Sequence, residues 1–365
     1  MKEVHITLLG KENMPLYYPI IEFNSEEVYV LGSRQNLAVA HNLKKVLEEK
    51  GLLCKVYCDI NAFDIKSIIS KCEEIHSKIG NDCNVTYNIT GGTKIMAIGA
   101  YIVAKQHKAR IIYTDSVSCI DLDTYSSVPL NGKVDNKTIF RLQGQYLKSY
   151  DTTAPDKETL DASNKIACFI NENRRLFNQL RRQYVSKTLS TLSVTEEYEY
   201  EYNPASMSVC IKDNTATTLL DICHHDALKL LFEGRWWEAL VADAIFRWSD
   251  GRYEIWRNVT FNPRDMEARL KDFDKNEIDI LVNTGNKLLF VECKSGDVTQ
   301  DNINKMSVIR QNYGSDKSKS ILVSQFLRSD LREKIEETKS YAIIGRHALE
   351  NIPQKFDSIL QSIKA

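Results

Sequence analysis

The sequence carries almost no excess of one charge: 48 Lys and Arg residues face 49 Asp and Glu residues, for a net charge of −1 at pH 7. A chain with this balance has no global basic field, so a nucleic-acid partner would have to be held by local basic patches or by a metal ion. The sequence also lacks the low hydrophobicity of disordered chains, since 43% of its residues are hydrophobic. The composition therefore predicts a folded, globular protein.

Long apolar runs and paired cysteines are missing as well. The first residues lack the apolar core of a signal peptide, and no stretch is long enough to span a bilayer, so we expect a cytoplasmic protein with no membrane partner. The nine cysteines include no Cys-x-x-Cys pair, so neither a disulfide framework nor a structural zinc site is indicated. Cys223-His224-His225 is the nearest approach to a metal cluster, but adjacent side chains point in different directions, which favours a partly buried segment instead.

The length of 365 residues predicts two domains of ordinary size. In the first half, short apolar strands alternate with amphipathic helices, which is typical of a parallel sheet with helices on both faces. We therefore predict a Rossmann-like domain over residues 1–148. Its strands are expected at 4–9, 28–31, 53–57, 84–89 and 110–114, and its helices at 36–50, 64–79 and 93–107.

The second half changes character at residue 149, where the chain turns polar. A helix is predicted over 164–187, followed by a β-rich stretch over 190–222, so residues 149–225 are expected to form a helical and β connector. The arginines of that helix repeat on one face, which is typical of a solvated helix surface and leaves contact with phosphate open. Residues 226–365 are predicted to form a second α/β domain. Its helices are expected at 227–248, 302–312 and 327–338, and its strands at 253–256, 278–282, 288–293, 320–323 and 341–344.

Charged residues interrupt two neighbouring apolar strands of the second domain. A short glycine-containing turn, Asn283-Thr-Gly-Asn286, joins these strands, so an antiparallel hairpin is the simplest topology. Because side chains alternate along a strand, Glu292 and Lys294 project from one face, and Asp279 falls nearly opposite them. Charge in a buried strand is costly unless it is paired or binds a metal, which favours a functional site over a surface salt bridge.

The chemistry of these residues predicts a metal-dependent phosphodiesterase. Carboxylate oxygens of Asp279 and Glu292, with the backbone carbonyl of Cys293, are ligands that Mg²⁺ or Mn²⁺ prefers. An ion held there would activate a water molecule and offset charge on a scissile phosphate. Lys294 would orient that water or stabilise the transition state, so we predict it to be catalytic together with Asp279 and Glu292.

A third carboxylate, Glu238, lies upstream in Gly234-Arg-Trp-Trp-Glu238. It shares its helix face with Val241, Ala242 and Ile245, so the acid falls in an apolar stripe that must pack on the sheet. We predict Glu238 to be catalytic and a candidate further metal ligand, the alternative being a partly exposed helix acid. Lys305 is a candidate phosphate contact, for which ordinary exposure is an equal alternative.

A second motif lies in the first domain, where a strand runs into Thr90-Gly91-Gly92-Thr93-Lys94. The two glycines precede a helix, so bare backbone amides and the positive helix end face the edge above the sheet, where a phosphate can bind. The motif matches neither a Walker A loop nor a dinucleotide fingerprint, and a tight turn that needs glycine is the alternative. Gly10 and Ser33 follow the first two strands at the same edge, where doubly wound sheets bind ligands.

Together these motifs resemble the CARF-domain nucleases of type III CRISPR systems, in which a CRISPR-associated Rossmann-fold sensor is fused to a PD-(D/E)xK domain. The resemblance covers nearly the whole chain and rests on four segments. They are Asn88-Ile-Thr-Gly-Gly-Thr-Lys94, Gly234-Arg-Trp-Trp-Glu238, Asn276-Glu-Ile-Asp279 and Val291-Glu-Cys-Lys-Ser295.

The resemblance implies a nuclease that acts in antiviral defence and is activated by a cyclic oligoadenylate, most often cyclic tetra-adenylate. It implies cleavage of single-stranded RNA, DNA or both using Mn²⁺ or Mg²⁺, and it leaves nicking of duplex DNA open. Such sensors are homodimers, and a cyclic ligand suits a pocket shared by two copies. The implied ligand contacts are Thr90, Gly91, Gly92, Thr93 and Lys94, and the implied catalytic residues are Glu238, Asp279, Glu292 and Lys294. The segment 11–19 matches no pattern of the family.

Two other functions are compatible with the same residues. A DNA repair or restriction endonuclease could carry an N-terminal domain that only dimerises. A nucleotide-binding transcriptional regulator could carry an inactive nuclease fold, although the intact set of Asp279, Glu292 and Lys294 and the absence of a clear winged-helix segment argue against it. Activation by a ligand requires that the ligand bind the active arrangement more tightly than the inactive one.

Overall fold

The structure is a computed structural model that describes residues 1–80, 82–115, 118–130, 132–262, 277–285, 287–314, 318–345 and 347–364. Asn276 and Asn286, which belong to predicted motifs, lie outside these residues. The chain divides into two compact units. The first unit comprises residues 1–148 with 260–276 and 283–287, and the second comprises residues 149–259, 277–282 and 288–365.

The first unit alternates strands and helices, as the apolar patterning predicts. Its helix starts follow the capping residues: the side chain of Asp64 accepts a hydrogen bond from the Lys66 amide, and that of Thr93 from the Met96 amide. The strands are β1 (Lys2–Leu8), β2 (Glu27–Leu31), β3 (Leu53–Tyr57), β4 (Cys83–Asn88), β5 (Arg110–Thr114), β6 (Ser118–Asp121) and β7 (Ser127–Pro129). The helices are α1 (Met14–Glu22), α2 (Leu37–Glu49), α3 (Ile65–His76), α4 (Lys94–Gln106) and α5 (Asn136–Leu142), with a 3₁₀ turn at Arg34–Asn36.

These strands form one seven-stranded sheet in the order β3-β2-β1-β4-β5-β6-β7. The pairs from β3 to β5 are parallel and the last two pairs are antiparallel. The order reverses between β2-β1 and β4, so a crevice opens beyond the carboxyl ends of β1 and β4. The prediction of an N-terminal Rossmann-like domain is confirmed.

The second unit contains two sheets. An antiparallel sheet in the order β12-β11-β10-β9 occupies the predicted β-rich connector. A six-stranded sheet in the order β17-β16-β15-β14-β13-β8 forms the C-terminal α/β fold. The strands are β8 (Leu147–Asp151), β9 (Leu192–Val194), β10 (Tyr198–Asn203), β11 (Ser208–Asp213), β12 (Thr218–Cys223), β13 (Glu254–Phe261), β14 (Ile278–Asn283), β15 (Leu288–Lys294), β16 (Lys319–Ser324) and β17 (Tyr341–Ile344). The helices are α6 (Lys157–Glu172), α7 (Arg174–Val185), α8 (Ala227–Glu233), α9 (Arg235–Ser249), α10 (Gln300–Tyr313), α11 (Ser329–Glu337) and α12 (Ala348–Lys364).

Helix α9 lies at the centre of the apolar core of the second unit. Trp236 and Trp237 are buried, and the indole Nε1 of Trp237 donates to the backbone carbonyl of Val323 at 3.0 Å. Satisfying that indole N–H inside the core fixes α9 against β16. The first turn of α9 is therefore held firmly beside the six-stranded sheet.

Two helix predictions were wrong in the same way. The predicted helix 164–187 is α6 followed by α7, with a break at Asn173, where φ is −123°. The predicted helix 227–248 is α8 followed by α9, with a break at Gly234, where φ is +90°. Apolar periodicity continues through both breaks, which is why the pattern alone predicts one helix in each place. Among the described residues, no helix combines the length and apolar character that a bilayer crossing requires.

Candidate active site

The predicted catalytic residues of the hairpin lie on two adjacent strands. Only the residues 284–287 separate β14 from β15, too few for a parallel crossover, so the strands run antiparallel. The backbone amide of Cys293 donates to Oδ2 of Asp279 at 2.7 Å. The Cys293 side chain enters the core, and alternation therefore turns Glu292 and Lys294 together to the opposite face.

Glu292 is a buried carboxylate with two ammonium groups beside it. Its side chain is only 4% exposed, and its Oε1 lies 2.7 Å from Nζ of Lys294. Nζ of Lys305, on α10, lies 3.9 Å from the same oxygen. A buried charge of this kind is tolerated only when it is compensated, and here one compensating group comes from the end of β15 itself and the other from α10.

Glu238 occupies the first turn of α9 and carries an unusual pKa. Burial raises the pKa of Glu238 from 4.5 to about 7, and the negative charges of Glu277 and Glu292 add to the increase while Lys294 opposes it. Burial likewise raises the pKa of Asp279 well above its usual range, with Glu292 and Glu238 reinforcing the shift. The charge of Glu292 thus contributes to the raised pKa of both Glu238 and Asp279, so the three predicted carboxylates share one electrostatic neighbourhood.

The pKa of Lys294 is raised, whereas burial alone lowers the pKa of a lysine. Burial alone would lower its pKa, but the carboxylates of Glu292 and Asp279 outweigh that effect and raise the pKa above its ordinary value. The side chain is therefore a permanent cation at neutral pH. Carboxylates that repel one another around this ammonium form a site that favours the binding of further positive charge.

A cleft of about 340 Å³ opens at the outer side of this cluster. Glu238 and Asp279 line it, together with Arg235, Arg257 and Asn258. The Nε of Arg257 donates to the backbone carbonyl of Thr153 at 2.8 Å, and burial lowers the pKa of its guanidinium. Arg257 was absent from the sequence prediction, and strand β13, which also carries Glu254, Asn258 and Thr260, has no pattern that singles it out.

The donor set fits a divalent ion that keeps much of its water. Within the described residues, no three His, Cys, Asp or Glu side chains are gathered closely enough to hold a metal by themselves. Two carboxylates, from Asp279 and Glu292, with the carbonyl of Cys293 and water, match the way Mg²⁺ binds in enzymes, usually through one or two carboxylates. Burial, and then the charges of Glu292 and Glu238, raise the pKa of Asp279, and the positive charge of such an ion would favour its ionised form.

The glycine motif of the first unit forms a close-packed turn between β4 and α4. A Cβ on Gly91 would lie 2.0 Å from the carbonyl oxygen of Leu8, and a Cβ on Gly10 would lie 3.4 Å from the Cα of Gly91. Gly92 has φ of +75°. Glycine is therefore required here both by the close approach to the end of β1 and by the backbone conformation.

The two threonines of the motif hold this turn in place. The Thr90 hydroxyl donates to Oδ1 of Asn88 at 2.5 Å and accepts from the Thr114 amide at 2.7 Å. The Thr93 hydroxyl donates to the carbonyl of Ala62 at 2.6 Å and caps α4. Their hydroxyls thus have structural partners, and one of them also satisfies the Met96 amide in the first turn of α4.

Lys94 and Ser33 complete the predicted ligand contacts. Lys94 is exposed, and its ammonium has no ion-pair or hydrogen-bond partner among the described residues. Ser33 follows β2 at the start of the 3₁₀ turn, with its backbone extended. The structure brings Gly10, Gly91 and Gly92 together at one edge of the sheet, and places Ser33 and Lys94 on the segments that follow strands at that edge.

The segment after Gly10, which the sequence left unassigned, is a short helix with a buried cap residue. The Nδ2 of Asn13 donates to the carbonyls of Val39 and Leu142 at 2.9 and 2.8 Å. The Nδ2 of Asn88, beside the glycine motif, donates to the carbonyl of Pro15 at 3.2 Å. Prolines within α1 hid the helix from periodicity, and these amide contacts could not be foreseen without the fold.

Solved structures share this fold over nearly the whole chain. Can2 from Sulfobacillus thermosulfidooxidans, solved in complex with cyclic tetra-adenylate, aligns with a TM-score of 0.75 at 18% identity, covering 98% of this chain and 99% of its own. The Vibrio cholerae protein VC1899 aligns with a TM-score of 0.74 at 14% identity, covering 98% of each chain. A type III CRISPR defence DNA nuclease activated by cyclic oligoadenylate aligns with a TM-score of 0.58 at 16% identity, covering 90% of this chain and 46% of its own.

Family models match each half of the chain separately. Residues 3–118 match the HFX_2341_N family, described as "-like, N-terminal", and residues 233–344 match the nuclease-related domain, NERD. No curated protein matches the chain by sequence. The predicted likeness to sensor-fused nucleases is confirmed at the level of fold, and the nuclease-related match contains Glu238, Asp279, Glu292 and Lys294.

Proposed function

We propose that this protein is a metal-dependent nuclease that a cyclic oligoadenylate activates in type III CRISPR antiviral defence. The observation that carries the proposal is the buried cluster of Glu238, Asp279 and Glu292 with Lys294, inside a segment that matches a nuclease-related domain. The fold shared with a protein solved with cyclic tetra-adenylate supports the choice of activator.

The proposed chemistry is hydrolysis of a phosphodiester bond in single-stranded RNA or DNA. Asp279, Glu292 and the Cys293 carbonyl would hold Mn²⁺ or Mg²⁺, which would supply positive charge toward the phosphate and acidify water. Glu238, whose pKa is about 7, is suited to accept a proton from the attacking water at its carboxylate oxygen. Lys294 remains an ammonium and would stabilise negative charge that builds on the phosphate oxygens.

The proposed sensor site is the edge formed by the glycine motif. The backbone amides of Gly91 and Gly92 and the start of α4 offer donors to phosphate, and the unpaired ammonium of Lys94 adds a charge. A cyclic tetra-adenylate has symmetry of its own, which suits a homodimer whose two copies contribute equally. Activation then requires that the ligand bind the active arrangement of the protein more tightly than the inactive arrangement.

Cleavage of labelled single-stranded RNA and DNA, with and without cyclic tetra-adenylate and Mn²⁺, tests this proposal. We expect cleavage only when both are present, none with Glu292→Gln, and a higher ligand requirement with Lys94→Ala. Lys66→Ala, which removes an equally exposed lysine from α3, is the matched control and should behave as wild type. Full activity without ligand would refute the sensor, and full activity of Glu292→Gln would refute the site.

A further inference from the structure

A second charged cleft lies at the open edge of the six-stranded sheet, along β17. Its volume is about 680 Å³, and it lies between α11 and α12. Four basic side chains line it, against the single acid Glu336. They are Lys319, Arg332, Lys339 and Lys355.

None of these four cations has an ion-pair partner among the described residues. Elsewhere many basic side chains are paired: Lys2 and Lys55 share Glu27, and Arg110 pairs with Asp121. Like charges gathered around one cavity repel each other, and that cost persists unless an anion binds there. The net charge of the chain is only −1, so this concentration of positive charge belongs to the cleft and does not reflect an overall basic protein.

The cleft lies in the same sheet as the catalytic strand. The register pairs Glu292 of β15 with Leu322 of β16, and Leu322 with Ala342 of β17. Two strand spacings, about 10 Å, separate the row of Glu292 from Ala342 in the cleft wall. Leu322, between them, is buried under α10 and α11, and Lys319 and Lys339 lie at the start of β16 and just before β17. A strand that reaches both sites therefore passes around the sheet over several nucleotides.

We infer that this cleft binds the phosphate backbone of the substrate strand several nucleotides away from the bond that is cut. The inference rests on the proposed nuclease function and extends it with a binding site outside the catalytic cluster. Backbone contacts of this kind carry no base information, so they increase affinity for any sequence. Substrates long enough to reach the cleft should therefore bind more tightly than substrates that span only the catalytic residues.

The test compares a cleft variant, Arg332→Ala with Lys339→Ala and Lys355→Ala, with a control variant of equal charge change. The control combines Lys50→Ala, Lys66→Ala and Lys334→Ala, which remove exposed lysines outside the cleft, one of them from α11 itself. Binding of labelled single-stranded oligonucleotides is measured by fluorescence anisotropy in EDTA with cyclic tetra-adenylate present, over a range of salt. Cleavage of a long strand and of a tetranucleotide is measured separately.

We expect the cleft variant to lose affinity for the long strand and to lower the slope of log Kd against log salt by about 2, because each lost contact to a single strand removes about 0.7. We expect KM to rise for the long strand, with tetranucleotide cleavage unchanged. Equal behaviour of the cleft and control variants would overturn the inference, and so would an equal loss with both substrates. If the wild type cleaves nothing, the nuclease proposal fails while the anisotropy comparison still decides the role of the cleft.

Discussion

At the scale of single residues, the most informative side chain is Glu238. It is an acid in the first turn of α9, a helix that packs its apolar residues, Trp236 and Trp237 among them, into the core. Burial and neighbouring carboxylates raise its pKa to about 7, so at neutral pH it is poised between its two protonation states. An acid with only a structural role would destabilise the fold in such a place, because a buried carboxyl, ionised or protonated, costs stability when it has no partner.

This shift makes the stability of the metal-free protein depend on pH. Between about 4.5 and about 7, the folded state holds a proton on Glu238 that the unfolded state releases, so stability falls as pH rises through this window. The raised pKa of Asp279 acts in the same direction. Glu238→Gln removes the ionisable group, and we expect it to raise the melting temperature in EDTA at pH 8 but not at pH 5. Thermal unfolding at the two pH values measures this.

The exposed acid Glu172 provides the control for that substitution. Glu172→Gln makes the same chemical change on α6 and should leave the melting temperature unaltered at both pH values. A fall in stability of Glu238→Gln at pH 8 would contradict the buried-acid interpretation. Adding Mn²⁺ to the wild type at pH 8 should recover part of the lost stability, because the ion relieves repulsion among the acids.

Sequence alone could place most of this site but not all of it. Alternation along β15 put Glu292 and Lys294 on one face, since that rule depends only on strand geometry. The sequence offered Lys305 only as a candidate phosphate contact, and its approach to Glu292 depends on how α10 packs. The guanidinium of Arg257 likewise reaches the cleft through tertiary packing. No local pattern contains that information.

At the scale of elements, the break between α8 and α9 determines where Glu238 lies. Gly234 has φ of +90°, and a Cβ there would come within 2.8 Å of the Ser295 Oγ, next to Lys294. An alanine would have to relax the left-handed backbone or displace that serine. Either change alters the start of α9, four residues before Glu238.

Gly234→Ala is therefore expected to lower kcat several-fold as well as stability. Gly251, in the turn after α9, has φ of +73° and no atom near its Cβ position. Gly251→Ala should carry a similar backbone cost, about 1–2 kcal/mol, without the loss of kcat. Melting temperatures and cleavage rates of the two variants, measured side by side, check this. Equal kcat in both would show that the break positions nothing in the site.

Element boundaries show why periodicity succeeds and fails. Strands β3, β5 and β17 begin and end at the predicted residues, because Gly, Asp or Lys residues near each end limit their apolar runs. Helix α1 was missed because prolines interrupt its pattern, and the breaks at Asn173 and Gly234 were missed because apolar spacing continues across them. Periodicity reports which face is buried, whereas a break depends on the backbone angle of one residue.

At the scale of the whole molecule, the chain joins two units with separate cores. The apolar cluster of the first unit contains residues of β1, β4 and α4, and that of the second surrounds α9. Each proposed ligand has its site in one unit, the cyclic oligoadenylate in the first and the divalent ion in the second. Ligand stabilisation can therefore be assigned to a unit.

Differential scanning calorimetry of the full chain tests this division. A ligand that binds only the folded state stabilises it by about 2.7 kcal/mol at a concentration one hundred times its Kd. We expect cyclic tetra-adenylate to raise the transition of the first unit and Mn²⁺ to raise that of the second. Lys94→Ala should weaken only the first shift and Glu292→Gln only the second, because each substitution removes a contact from one site. A Mn²⁺ shift that survives Glu292→Gln would mean that the ion binds elsewhere, and the carboxylate cluster would then need another role.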